Sequence, residues 1–169
     1  MPGVTISTAV RTGAVNTGVA PAATFFVTGQ TERGIDTSAV KVTSLEDYQT
    51  KFGSHVTGHY TYYTLRTFFE EGGVTAYVAR AKASAATYAD AELAAPSAAP
   101  GLTLRAVGSG TWGNDLEAVV TVDSGFTITV TYDGTEVFTG TYTTIADAIT
   151  GINFSTDASN YFVASATSG

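Results

Sequence analysis

The chain has 169 residues, a net charge of −7 and 14% charged residues, against about 25% in an average globular domain. It has no cysteine, which excludes disulfide staples, thiolate nucleophiles and cysteine-based metal sites together. Its eight lysines and arginines form no cluster, so the counterion-releasing grip on a phosphate backbone is missing and nucleic acid is not an expected partner. No apolar run approaches the ~20 residues of a spanning helix, and the opening MPGVTISTAV has no basic segment followed by an apolar one, so neither membrane insertion nor a secretory leader is expected.

The remaining composition leans towards strands. Thirty threonines, nine phenylalanines and nine tyrosines suit pleated, half-buried surfaces. Charge is unevenly divided: residues 31–82 hold six acids and six bases, whereas residues 83–169 hold nine acids against Arg105 alone.

Residues 1–20 read as an extended arm. Val4 and Ile6 alternate with Thr5 and Ser7 at strand period, while Pro2, Gly3, Gly13, Gly18 and Pro21 interrupt packing. A lone strand leaves its backbone groups unpaired, so the arm is expected to add to a sheet, its own or a neighbour's.

Residues 21–82 read as a small α/β sheet domain. Thr24–Thr28 is a buried strand closed by Gly29, and a loop with Glu32, Arg33 and Gly34 leads to a short strand, Val40–Thr43. Ser44 caps a helix, with Glu46 and Asp47 at its positive end. Leu45, Tyr48 and Phe52 supply the buried stripe, and Gly53 ends it. A longer helix is expected from His59 to Glu71, with Tyr60, Tyr63 and Phe68 on one side and Tyr62, Leu65 and Phe69 on another. After Gly72-Gly73, Val74–Arg80 returns as a strand; strand–helix–strand order favours a parallel pairing with a right-handed crossover.

Residues 83–100 are rich in alanine and proline and read as a linker, with one helical turn expected around Tyr88 to Leu93. Residues 101–169 read as a β-rich module with one short helix. Strands are expected at Leu102–Val107, Leu116–Val122, Phe126–Tyr132 and Glu136–Tyr142. Asp133-Gly134 makes the hairpin turn, because both residues tolerate positive φ. A helix at Ile145–Ile152 and a strand at Tyr161–Ala164 complete the module. The fold class is therefore α+β.

No catalytic constellation emerges. His55 and His59 have zinc-helix spacing, but no glutamate lies between them and Gly58 weakens the helix that must present them. Gly108 to Gly113 matches G-x-G-x-x-G, yet it leads into a strand where a dinucleotide loop must lead into a helix. A tight turn is the expectation there, with Trp112 buried, Gly113 in the bend and Asn114 bonding the backbone. Glu70 and Glu71 diverge on a helix and cannot share a proton. Asn153-Phe154-Ser155 fits a glycosylation sequon incidentally. No cofactor or metal is expected.

Several stretches, in order, resemble the contractile tail sheath proteins of bacteriophages and related injection systems. They are Pro2-Gly3-Val4 with its arm, Gly18–Pro21 with the following strand and Thr31–Gly34, Val42–Gly53, Leu65–Gly73 running into Ala76–Arg80, and Gly110–Leu116. Sheath proteins are normally much longer, so the resemblance is to an N-terminal portion. It implies a structural subunit that stacks helically around an inner tube and contracts without catalysis, in the tail of a virion assembled in the host cytoplasm. Val4, Thr5, Ile6, Ser7 and Thr8 would be the arm strand that enters a neighbour's sheet. The implied partners are neighbouring sheath subunits, the inner tail tube protein, and baseplate and terminator proteins. A stand-alone module that binds glycans or decorates a virion is the alternative; it requires exposed aromatics on the β-rich half.

Overall fold

The computed structural model describes residues 24–93 and 101–167. The arm strand Val4–Thr8 lies outside the described residues. The fold is α+β, and its buried side chains fall into two hydrophobic clusters, an α/β core and a β-rich core.

The α/β core contains strands β1 (Thr24–Gly29) and β2 (Val40–Val42), helices α1 (Leu45–Phe52) and α2 (Thr61–Glu70), and strand β3 (Thr75–Arg80). The sheet order is β1-β3-β2. The parallel pair is β1 with β3, joined across both helices, whereas β2 runs antiparallel to β3. The cap of α1 is reciprocal: the Ser44 hydroxyl accepts from the Asp47 amide at 3.0 Å, and Asp47 Oδ2 accepts from the Thr43 amide at 2.9 Å. Tyr48 and Phe52 are buried, with Leu45 packed partly against them. Gly53, at φ 82, ends the helix in a conformation that favours glycine.

Helix α2 is shorter than the sequence suggests, and Tyr60, before its first turn, is 78% exposed. Phe68 does not side with Tyr60 and Tyr63. Positions 62, 65, 68 and 69 share one helical stripe, so Phe68 joins Tyr62, Leu65 and Phe69 against the core and stacks on Phe25 with ring centroids 4.9 Å apart. His55 and His59 precede the helix, so they are not presented from one helical face. On the other sheet face Phe26 and Tyr77 pair in register, both exposed, and no helix among the described residues covers them.

The β-rich core is larger. It holds strands β4 (Asp90–Leu93), β5 (Leu102–Ala106), β6 (Leu116–Val122), β7 (Phe126–Tyr132) and β8 (Thr135–Tyr142), helix α3 (Ile145–Phe154) and strand β9 (Phe162–Ala166). They make two antiparallel sheets, β4-β5-β9 and β6-β7-β8. Leu102, Leu104 and Phe162 from the first, Ile128, Val130 and Phe138 from the second, and Ala148 and Ile152 from α3 fill one shared interior. The β7–β8 turn has Asp133 at φ 49 and Gly134 at φ 72, the two positive angles that a hairpin of this length requires.

One expectation fails here. The segment Tyr88–Leu93 holds no helical turn, because residues 90–93 form β4 and pair with β5 from Asp90↔Arg105 to Leu93↔Leu102. The Asn153 side-chain amide has a structural role that its sequon does not describe: it donates to the Ala164 carbonyl and accepts from the Ala164 amide at 2.9 and 2.8 Å, tying α3 to β9.

Candidate functional site: a buried charged seam between the two cores

Sequence marks the loop between β1 and β2 only through the resemblance at Thr31–Gly34 and gives it no role, yet in the fold it carries the principal contacts between the cores. Thr31, Glu32, Arg33 and Asp36 lie in this loop. Thr31 and Arg33 are 6% and 5% exposed, and the Asp36 side chain is fully buried. The loop is shaped from within, since Thr31 Oγ1 donates to the Arg33 carbonyl at 2.8 Å and Arg33 N donates to the Phe52 carbonyl at 3.1 Å.

Asp36 is the most connected of these groups. Its Oδ2 accepts from the Ser109 amide at 3.0 Å, from Ser109 Oγ at 2.5 Å and from Lys82 Nζ at 3.0 Å. Its Oδ1 accepts from the Tyr88 hydroxyl at 2.9 Å. Arg80 Nη1 lies 3.9 Å from Oδ2 but donates to the Ser109 carbonyl at 2.7 Å. Burial alone would raise the Asp36 carboxyl; donation from Ser109, Lys82 and Tyr88 to the ionised form outweighs it and holds the carboxyl well below the usual range. Burial also lowers the Arg80 guanidinium, against the pull of Asp36.

Arg33 and Glu32 make the second set of contacts. Arg33 Nη2 donates to the Gln49 carbonyl at the C-terminal end of α1, where the helix dipole favours a cation. Its guanidinium lies 4.1 Å from the ring centre of Tyr161 and 5.6 Å from that of Tyr132, within cation–π range. Glu32 accepts from the Ser54 amide at 2.7 Å and from the Tyr132 hydroxyl at 3.0 Å. Burial, and then donation to Glu32, push the Tyr132 phenol well above its ordinary value.

Ser109 opens the glycine-rich turn, which is a 3-10 segment, Thr111–Asp115. Trp112 is buried and its Nε1 donates to the Ser109 carbonyl at 3.2 Å. Gly113 packs so closely that a Cβ would stand 2.7 Å from the Ala89 methyl. Asn114, expected to bond the backbone, is exposed and makes no side-chain hydrogen bond among the described residues. Gly108 meets Gly34 backbone to backbone, leaving no room for a side chain. The segment 81–89 borders a cleft of about 490 Å³ together with Arg80, Ser109 and Trp112.

This arrangement has the chemistry of a fastening. Each carboxylate is saturated by donors, and no group of histidine, aspartate and glutamate among the described residues is placed to hold a metal. No helix among them is long and apolar enough to cross a membrane. The expected residues Trp112 and Gly113 adjoin the seam, while Arg33, Asp36, Arg80 and Ser109 went unmarked as functional. The sequence signals for them are the balance of acids and bases in residues 31–82, the resemblance at Thr31–Gly34 and Ala76–Arg80, and the glycine-rich turn that holds Ser109.

No family model matches the chain, and no curated protein matches it. Solved structures do, among them two sheath tail proteins. The sheath tail protein of Listeria innocua aligns with 86% of this chain and 30% of its own, at 21% identity and a TM-score of 0.61. The sheath tail protein of Desulfitobacterium hafniense aligns with 99% of this chain and 36% of its own, at 17% identity and a TM-score of 0.52. The chain thus spans about a third of the length of these neighbours, and over that span its fold is that of the sheath tail proteins.

Proposed function

We propose that this chain is the N-terminal portion of a contractile tail sheath subunit, a structural protein that polymerises helically around an inner tube and contracts to drive that tube through a target envelope. The supporting observation is the likeness of fold, which takes in 86% and 99% of the chain in the two neighbours. In this reading residues 1–20 are an extended arm whose Val4–Thr8 strand pairs with a neighbouring subunit. Residues 21–82 belong to the sheath's inner domain, 83–100 join the two parts, and 101–169 form an outward module. The partners are other sheath subunits, the tube, and the baseplate and terminator proteins of a phage tail or injection system, and the work is mechanical, without catalysis.

The physics suits that work. Each hydrogen bond of an exchanged strand is worth roughly 0.5–1.5 kcal/mol net, so about five paired residues hold neighbours together while their bodies repack. The energy of contraction then resides in interfaces between subunits, which switch between discrete packings. Electron microscopy of the complete sheath protein, with and without residues 1–20, is the test. Tubes of sheath diameter that vanish with the arm are expected; tubes that persist overturn the arm assignment, and a complete protein that forms no ordered assembly overturns the sheath reading.

A further inference from the structure

Two cores joined by a single stretch of backbone are free to swing against each other unless something fastens them, because relative motion is the default for small polar interfaces. Among the described residues the backbone passes between the cores once, from β3 through residues 81–89 to β4. That stretch is rich in alanine and mostly exposed. Covalent connection alone would therefore make a hinge.

The β1–β2 loop opposes this. We propose that the loop 31–36 is a mechanical coupling that fastens the α/β core and the β-rich core into one rigid lever, with Asp36 as its latch and Arg33 as a second anchor. The inference rests on the sheath reading only for its use, since the coupling is a property of the isolated chain.

Three observations carry it. First, the loop engages the β-rich core at separate places: Asp36 takes both donors of Ser109, Arg33 covers Tyr161, and Glu32 receives the Tyr132 hydroxyl. Fixing one body against another requires contacts that do not lie on one pivot, and these residues come from the turn before β6, the end of β7 and the residue preceding β9. Second, Arg33 and Glu32 are tied back into the α/β core, and Asp36 gathers Lys82 and Tyr88 of the connecting stretch to the same joint. Arg33 bonds the carbonyls of Phe52 and Gln49 through its amide and its guanidinium, and Glu32 bonds Ser54. Strain on the β-rich core thus reaches the end of helix α1 through Arg33 and Glu32, beside the covalent connection. Third, the latch is dry: the Asp36 side chain has no exposed surface, and the Arg80 side chain beside it is 8% exposed. A buried carboxylate that loses its donors is left under-paired, so opening the joint is costly. The backbone contact of Gly34 with Gly108 removes the remaining slack.

The experiment measures residual dipolar couplings and thermal unfolding of the full 169-residue chain, as wild type and as Asp36→Ala. In the wild type one alignment tensor should fit the amides of residues 24–80 and of 101–167 together, and unfolding should be a single transition. In Asp36→Ala the two sets should require separate tensors, and the transition should split or broaden. Ser109→Ala, which deletes one donor and keeps the carboxylate, should give an intermediate divergence and decides the matter if Asp36→Ala does not fold. A wild type that already needs two tensors, or an Asp36→Ala chain that keeps one tensor and an unchanged midpoint, overturns the coupling; so does Ser109→Ala behaving as wild type where Asp36→Ala does not fold. None of these readouts requires tubes, so failure of the lever and failure of the sheath reading are told apart.

Discussion

The two cores solve the burial problem differently. In the β-rich core two sheets and α3 close on a common interior from several sides. In the α/β core, among the described residues, a three-stranded sheet is covered by α1 and α2 on one face, and Phe26 and Tyr77 are exposed on the other. Charge follows the same division: the six bases of residues 31–82 include Arg33, Arg80 and Lys82 of the seam, while the β-rich half carries acids almost alone. The smaller core thus supplies the cations of the joint, and much of its polar chemistry is spent holding its larger neighbour.

Cavity mutations separate the cores most strongly. Phe52→Ala and Ile152→Ala each empty a fully buried position, one in each core, and should cost about 2–5 kcal/mol by denaturant unfolding. With the seam closed, either variant should lower hydrogen-exchange protection in both cores; protection lost in the mutated core alone would mean that the cores are independent. Removing the latch itself, Asp36→Ala, should cost about 3 kcal/mol, the low end for a broken buried pair because Lys82 keeps partial contact with water. Gly108→Ala should cost about 1–3 kcal/mol, since its Cβ would run into the Gly34 carbonyl. That loss should appear as weakened coupling, with each core intact.

Acid gives a graded version of the same test. The folded Asp36 carboxyl lies below its ordinary 3.8, so its contribution is fully present above about that value and is lost as pH falls through the depressed one. Asp47 is lowered too, by Lys51 and Thr43 against the opposing effect of burial. Wild-type stability measured from pH 5 to 2 should therefore fall more steeply than that of Asp36→Asn; parallel curves would show that Asp36 is not the responsible group. The smallest effect belongs to the caps. Ser44→Ala and Thr144→Ala should each cost about 1 kcal/mol. The Thr144 change should be the larger, because its hydroxyl both accepts from the Asp147 amide and donates to Asp147 Oδ2 at 2.7 Å, whereas the Ser44 hydroxyl accepts from the Asp47 amide alone.

Local chemistry made part of this fold legible. Ser44, the stripe Leu45–Tyr48–Phe52, Gly53 and the Asp133-Gly134 turn each encode their conformation within a few residues. What escaped was non-local. Asp90-Ala91-Glu92-Leu93 has no β-branched residue and becomes a strand only because β5 offers an edge. Asp36 is a lone acid in a loop until the chain brings Ser109, 73 positions later, to its side. The resemblance to sheath proteins pointed to Thr31–Gly34 without a reason; the burial of Arg33 between α1 and Tyr161 supplies one.

The exposed alanines at 83 and 85 sit in the only peptide bridge between the cores among the described residues. A protease nick there would sever the polypeptide without severing the object. The two fragments should co-elute on a sizing column until acid or an altered Asp36 lets them part, as a bolted joint survives the cutting of its cord.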